Sequence, residues 1–216
     1  MKSSNIVMNF IKNPDKGIMN IYWGNDLYVL SNEDYGIYDF ERYAKSMDGN
    51  LKKISGGPKA ANIMYNSQGN VVSIIFFTDQ RLIEPTSIIN IKYNENNTVS
   101  EEIILDGRSL ALIMKYTYEY DQLGRIIRRV EYRDYKNDPV FITTYSYVDD
   151  SDDVRYMEEY LYSDPTWFAD RLWFTCDGHM LYRITTDRSE GHIYCSKYKY
   201  NKKKDNYKCK TTMIDF

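Results

Sequence analysis

One pattern constrains this chain more than any other: an aromatic residue followed at fixed distance by a turn, repeated along the sequence. Tyr65-Asn-Ser-Gln-Gly69-Asn-Val, Tyr120-Asp-Gln-Leu-Gly124-Arg-Ile and Phe174-Thr-Cys-Asp-Gly178-His-Met share it, and Tyr93-Asn-Glu-Asn-Asn97-Thr-Val carries it with Asn in place of Gly. Tyr147 and Tyr200 keep the register with weaker turns. The register aromatics at 65, 93, 120, 147, 174 and 200 stand 28, 27, 27, 27 and 26 residues apart. Spacing of this evenness marks a stack of one supersecondary unit. Proline supports the same phase. Pro14, Pro58, Pro85, Pro139 and Pro165 precede Tyr22, Tyr65, Tyr93, Tyr147 and Phe174 by 8, 7, 8, 8 and 9 residues. Proline has no N–H for a strand ladder, so this phase is expected to be the connection between hairpins. Gly and Asn occupy the phase where a tight turn needs positive φ.

The segments on either side of each turn alternate as strands do. Tyr116, Tyr118 and Tyr120 share one face, as do Tyr145 with Tyr147 and Tyr198 with Tyr200. The expected fold is therefore all-β: an antiparallel meander of ~27-residue hairpin repeats, about seven copies, read as one domain over 1–216. Its N-terminal copies, 1–57, are irregular, and the regular hairpins run over 58–216. A chain of this kind yields about 12–14 strands, beyond the roughly ten at which an open sheet curls, so a curved sheet or partly closed barrel is expected. Two segments depart from strand patterning. Ser163 to Arg171 has an N-cap candidate before Pro165, and Ile37 to Lys45 has Ile37, Phe40, Tyr43 and Ala44 at helical spacing. Each is expected to be at most a short helix or a turn.

The stretch Tyr116-Thr-Tyr-Glu-Tyr-Asp-Gln-Leu-Gly-Arg-Ile-Ile-Arg-Arg-Val-Glu-Tyr132 resembles the YD repeats of RHS proteins, with echoes at Tyr65–Val71 and Phe174–Met180. The chain also resembles the MORN-like repeats of bacterial YwqK-type antitoxins. Its units are longer than the family's, and it is too short for the toxin-wrapping shell of a full RHS protein. The resemblance implies a strip of antiparallel sheet used as a surface, and an immunity protein that covers a cognate toxin.

Composition narrows the setting. There are 22 tyrosines against 8 phenylalanines, and Tyr suits a half-wet pleated face. The net charge of −3 offers no global basic field. The N-terminal apolar residues are interrupted by Asn and Lys, which makes a poor signal peptide, and no run is long enough for a membrane helix. Three cysteines, Cys176, Cys195 and Cys209, without paired spacing read as free thiols of a reducing compartment. A cytoplasmic protein is expected.

Four constellations of side chains bear on chemistry. Cys176, His179, His192 and Cys195 form a CxxH and an HxxC, a zinc-like set on paper. In the repeat register the two histidines fall about six residues, or roughly 20 Å, apart along the strands, which favours turn-proximal histidines over metal ligands. The same separation disfavours Cys-His catalysis. The acidic run Asp149, Asp150, Asp152 and Asp153, followed by Glu158 and Glu159, sits in the turn phase and lacks the glycine and closing glutamate of a calcium loop. It reads as a turn that also offers an acidic surface to a basic partner. In the C-terminal segment, Lys197, Lys199, Lys202, Lys203, Lys204, Lys208 and Lys210 interleave with Tyr194, Tyr198, Tyr200 and Tyr207. That mixture suits single-stranded nucleic acid, but a lysine-protected edge hairpin is the favoured reading.

The sequence thus points to a non-enzymatic protein-binding module with no catalytic residues, metal or cofactor. The specific expectation is a cytoplasmic immunity protein against an RHS-type toxin, acting as a monomer or an edge-paired homodimer. Asp149, Asp150, Asp152, Asp153, Glu158, Glu159, Trp167 and Trp173 are the expected contact residues. The alternative is a carbohydrate- or single-stranded-nucleic-acid-binding repeat protein, with nucleic acid disfavoured by the overall charge.

Overall fold

The computed structural model describes the backbone over residues 9–13, 18–23, 26–33, 37–45, 51–53, 60–78, 81–134, 137–175, 179–201 and 206–215, and most side chains within these from residue 60 onward. All regular structure among the described residues is β. In chain order the strands are β1 (Asn9–Asn13), β2 (Ile18–Trp23), β3 (Asp26–Glu33), β4 (Ile37–Lys45), β5 (Leu51–Lys53), β6 (Ala60–Tyr65), β7 (Val71–Phe77), β8 (Pro85–Tyr93) and β9 (Val99–Asp106). They continue with β10 (Leu112–Tyr120), β11 (Ile126–Arg133), β12 (Phe141–Tyr147), β13 (Val154–Leu161), β14 (Phe168–Phe174), β15 (Met180–Asp187), β16 (His192–Asn201) and β17 (Asn206–Asp215). The expected antiparallel hairpin meander is what forms. The strands group into two compact units, Ser4–Tyr116 with Arg133–Tyr135, and Met1–Ser3 with Thr117–Tyr132 and Lys136–Phe216.

In the first unit β1 to β4 pair in sequence, each antiparallel to the last. β4 takes β5 along one part of its length and β6 along the other, and β6 to β9 continue the meander. The segment Ile37 to Lys45, expected to be at most a short helix or turn, is instead strand β4. Its whole length is laddered to β3, from Asp26↔Ala44 to Glu33↔Ile37. Cross-strand pairing on both edges outweighs a nine-residue helical spacing, and Ile, Tyr and Phe favour strands in any case.

Most of the core over β6–β9 lies on one sheet face, where Ala61, Ile63, Ile74, Phe76, Ile89 and Ile91 are all buried, while Ala60, Ser73 and Phe77 are buried on the other. Directly opposed pairs such as Ile63↔Ile74 and Ile74↔Ile89 carry this face from strand to strand. Glu102, opposite Ile91, is fully buried on the same face.

The turns repeat in detail. Gly69 N–H donates to the Asn66 carbonyl, Asn97 N–H to that of Asn94, and Gly124 N–H to that of Asp121, at 3.0–3.1 Å. Gly69 and Gly124 have φ of 81° and 76°, and Asn97, standing where the others have Gly, has φ of 64°. The side chain at the head of the turn helps to close it: Asn66 Oδ1 accepts from the amides of Gln68 and Asn70, and Asp121 Oδ1 from those of Leu123 and Arg125. A register shift recurs beside the register aromatic, at Met64/Tyr65, Lys92/Tyr93, Ser146/Tyr147 and Trp173/Phe174. Each shift removes one residue from the ladder and increases the local twist.

Prolines 139 and 165 lie between strands, as their phase implies, but Pro85 is the first residue of β8, paired with Phe77 beside another register shift. A strand's first residue is one of the few ladder positions that tolerates a missing N–H. Pro14 and Pro58 lie outside the described residues. Of the segment Ser163 to Arg171, expected to be at most a short helix or a turn, the part up to Trp167 is a turn, but Phe168–Arg171 already belong to strand β14, held in the ladder by β13 and β15. Asp164 Oδ1 accepts from the Thr166 amide and hydroxyl, and the Asp164 carbonyl from the Trp167 amide, before β14 begins.

In the second unit β11 to β17 form an unbroken antiparallel meander. No helix among the described residues is long and apolar enough to cross a membrane.

Candidate functional site

Ladder register in the second unit decides which side chains share a face. One row runs Thr143↔Glu159↔Asp170↔Thr185↔Tyr194 across β12 to β16. Arg129 on β11 is opposite Thr143. We call this side face A. A second row runs Ser146↔Tyr156↔Trp173↔Tyr182↔Lys197↔Lys210 across β12 to β17, on the opposite side, face B.

Face A carries a polar seam. Arg129 donates to Glu159 at 3.0 Å and to Thr143 Oγ1 at 3.2 Å, and Thr143 donates to the same Glu159 oxygen at 3.0 Å. Arg183 holds Asp170 through Nε and Nη2 at 2.8–3.1 Å, and the Thr185 hydroxyl adds a bond at 2.9 Å. These bonds to Asp170 hold the Arg183 guanidinium above its ordinary pKa. Glu159 and Asp170 face each other across adjacent strands, but each is taken up by an arginine and a hydroxyl. Both carboxylates of the seam are therefore paired and hydrogen-bonded, and the network orders the sheet. Sequence inspection missed it, because the pairing depends on strand register and not on spacing within one strand.

Face B is open. Tyr156 and Trp173 pack with ring centroids 5.1 Å apart, and Tyr182, the next residue in the row, is 44% exposed. Lys197 Nζ lies 5.6 Å from the Tyr182 ring centre. Burial, followed by the Glu158 charge, raises the Tyr156 pKa. One row away, Glu158 and Arg171 form an ion pair at 2.7 Å.

The eight expected contact residues fall in three places. Asp149, Asp150, Asp152 and Asp153 form the β12–β13 turn, beside the Tyr156–Trp173 end of face B. Arg125 from the neighbouring hairpin donates to the carbonyls of Asp149 and Ser151, and its guanidinium lies 4.6 Å from the Tyr147 ring centre. Asp153 accepts from Ser151, while Asp149, Asp150 and Asp152 are exposed. Trp173 and Glu158 lie on face B of strands β13 and β14, and the turn closes the end of β13 nearest Tyr156. Glu159, adjacent in sequence to Glu158, points to face A and is bound by Arg129. Trp167 is 46% exposed in the β13–β14 connection, at the other end of the strands. Glu158 and Trp173 therefore share one face, with the acidic turn at the adjoining end of β13; Glu159 lies on the other face and Trp167 at the other end of the strands.

The histidines do not converge. His179 stacks on Tyr200 at 3.6 Å and lies 3.1 Å from the Tyr207 hydroxyl, whereas His192 is opposite Asp187 at the far end of the β15–β16 hairpin. Their separation spans the length of β15, somewhat more than the six residues expected from the repeat register. Cys176 lies outside the described residues. No group of three His, Cys, Asp or Glu side chains is arranged to hold a metal ion among the described residues.

The tail also resolves differently from its appearance in sequence. Strand alternation sends Tyr194, Tyr198, Tyr200 and Tyr207 to face A and Lys197, Lys199, Lys208 and Lys210 to face B. The interleaved lysines and tyrosines never share a surface. Lys202, Lys203 and Lys204 lie outside the described residues.

No family model and no curated protein matches the sequence. Among solved structures the chain is similar to Hsv2 of Kluyveromyces marxianus at 7% identity, covering 96% of this chain and 97% of that one with a TM-score of 0.20. It is also similar to Hsv2 of Kluyveromyces lactis at 5% identity, covering 96% of this chain and 73% of that one with a TM-score of 0.17.

Proposed function

We propose that this chain is a non-enzymatic protein-binding module, and in its concrete form a cytoplasmic immunity protein that neutralises a cognate bacterial toxin of the RHS type. The observation that carries the reading is the Tyr156–Trp173 pair on face B beside the exposed carboxylates of Asp149, Asp150 and Asp152. Trp and Tyr are the residues most often found as binding anchors, and a rim of like charge steers a partner of opposite charge. The sheet and the Arg125 clamp hold both parts in place before binding, which lowers the entropy lost on association. The partner surface is therefore basic, as expected of a toxin that acts on nucleic acid or another anionic substrate. The toxin class itself rests on the resemblance of Tyr116–Tyr132 to YD repeats.

The test is an affinity pull-down of the tagged chain from its native cells with identification by mass spectrometry, run beside Trp173→Ala and Asp150→Lys/Asp152→Lys variants. A stoichiometric partner bearing a toxin domain, weakened by about 2 kcal/mol or more in the Trp173 variant, is the expected result. Recovery of no protein partner, or of one held equally well by both variants, overturns the reading.

A further inference from the structure

The second unit sorts its charges by face. On face B between β12 and β17, the described residues in register include five cations, Arg171, Lys197, Lys199, Lys208 and Lys210, and one acid, Glu158. Arg171 and Glu158 neutralise each other at 2.7 Å. The acids Glu159, Asp170, Asp187 and Asp215 all register on face A. Four lysines are left on face B with no carboxylate of β12–β17 to offset them, a local excess hidden within a chain of net charge −3.

Their arrangement opposes folding. Lys197 is directly opposite Lys210, and Lys199 directly opposite Lys208. All four are exposed. Like charges placed directly across a ladder destabilise it. The block measures about 4.8 Å across the strands and roughly 6.6 Å along them. It therefore offers a dense square of ammonium groups that suits a ligand with closely spaced negative charges. The row that leads into it, Trp173↔Tyr182↔Lys197, supplies aromatic surface on the same face. A cationic track with aromatic platforms beside it is the combination that holds single-stranded nucleic acid: lysines take the phosphates and rings take the bases.

We infer that the Lys197–Lys199–Lys208–Lys210 block, with Tyr182 at its border, binds single-stranded nucleic acid without sequence preference. This site goes beyond the proposed protein interface and uses different residues from the acidic turn and the Tyr156–Trp173 pair. The aromatic involved is not one of the tail's own tyrosines, which lie on face A, but Tyr182 of β15.

The experiment uses the full chain with fluorescently labelled 20-nucleotide oligo-dT and oligo-U, and inorganic polyphosphate as a base-free polyanion, over a series of salt concentrations. With four lysine–phosphate contacts the slope of log affinity against log salt should be about −2.8. Replacing all four lysines with glutamine should abolish binding while leaving the thermal midpoint unchanged or raised, because the like-charge pairs are relieved. Lys197→Gln/Lys199→Gln alone should reduce the slope to about −1.4, which keeps the test usable if the fourfold variant folds poorly. Tyr182→Ala should weaken oligonucleotide binding by about tenfold without changing the slope. Absence of binding at low salt, binding indifferent to the lysine changes, or equal affinity for polyphosphate and oligonucleotide overturns the inference.

Discussion

The Tyr93 hydroxyl donates to the carbonyl oxygen of Val71, 2.8 Å away, and so ties one hairpin copy to the one before it. Tyr147 makes the equivalent bond to Ile126. Val71 and Ile126 are the first strand residues after the turns headed by Tyr65 and Tyr120. The register tyrosine therefore does more than cover a pleated surface: it reaches back to the start of the preceding copy's second strand, beside the register shift. In these two copies the register aromatic uses a hydroxyl that Phe174, at the same phase, lacks.

Removing that hydroxyl isolates its contribution. Tyr93→Phe and Tyr147→Phe should each lower stability by about 1 kcal/mol, the usual worth of a net hydrogen bond. Urea denaturation reads the effect as a lower midpoint at constant slope. Unchanged midpoints would mean that water satisfies both carbonyls equally well.

Burial, and then the charge of the buried Glu102, raises the Tyr93 pKa to about 12 from the ordinary 10.0. The protonated phenol is thus favoured more by the folded state than by the unfolded chain. That stabilisation is complete below pH 10 and is lost as the pH rises through about 12. Stability should fall across this window, and Tyr93→Phe should show a shallower decline. Denaturation midpoints at pH 9, 10 and 11 would decide it; an identical decline in the variant would assign the loss to other groups.

The Asp170–Arg183 pair predicts an asymmetry. The Asp170 side chain is 13% exposed and that of Arg183 41% exposed. Arg183→Ala strands the more buried charge and should cost about 3 kcal/mol, more than Asp170→Ala, after which Arg183 can hydrate. The double variant should recover part of the loss of Arg183→Ala. A double-mutant cycle by urea denaturation measures both, and the reverse order of costs would refute the seam as described.

Gly107 and Gly69 predict different kinds of failure. A Cβ at Gly107 would overlap the backbone of Pro85 and Thr86, whereas at Gly69 it would meet open space but at a φ of 81°. Gly69→Ala should cost about 1–2 kcal/mol from backbone strain alone. Gly107→Ala should cost more, because two backbone segments joined by the 3.1 Å Gly107-to-Thr86 hydrogen bond must separate. Thermal denaturation of the two variants compares them directly.

Much of the architecture was legible in the residues. The 27-residue phase of Tyr, Gly or Asn, and Pro located most strands and turns from residue 60 onward, though not the start of β14 at Phe168, and it placed Asp149–Asp153 in a turn. Positive φ at Asn97 follows from its standing in the glycine phase. Strand β4 was not legible, because nine residues with both helical spacing and β-favouring side chains are decided by their neighbours, here β3, β5 and β6.

The candidate surfaces divide in the same way. Alternation alone separates Glu158 from Glu159 and the tail lysines from the tail tyrosines, since successive strand residues point to opposite faces. Which residue of one strand meets which residue of the next is a different matter. The rows Tyr156–Trp173–Tyr182–Lys197 and Thr143–Glu159–Asp170–Thr185 depend on the register of each pair of strands, and that register is set by turn length, by ladder shifts and by the connection through Pro165. Repeat phase and alternation are properties of the residues alone, and they make this chain a meander of hairpins with each strand residue assigned to a face. Which charges and rings stand side by side is set by the folded register, because a shift of one residue in any ladder would exchange the two faces from that strand onward.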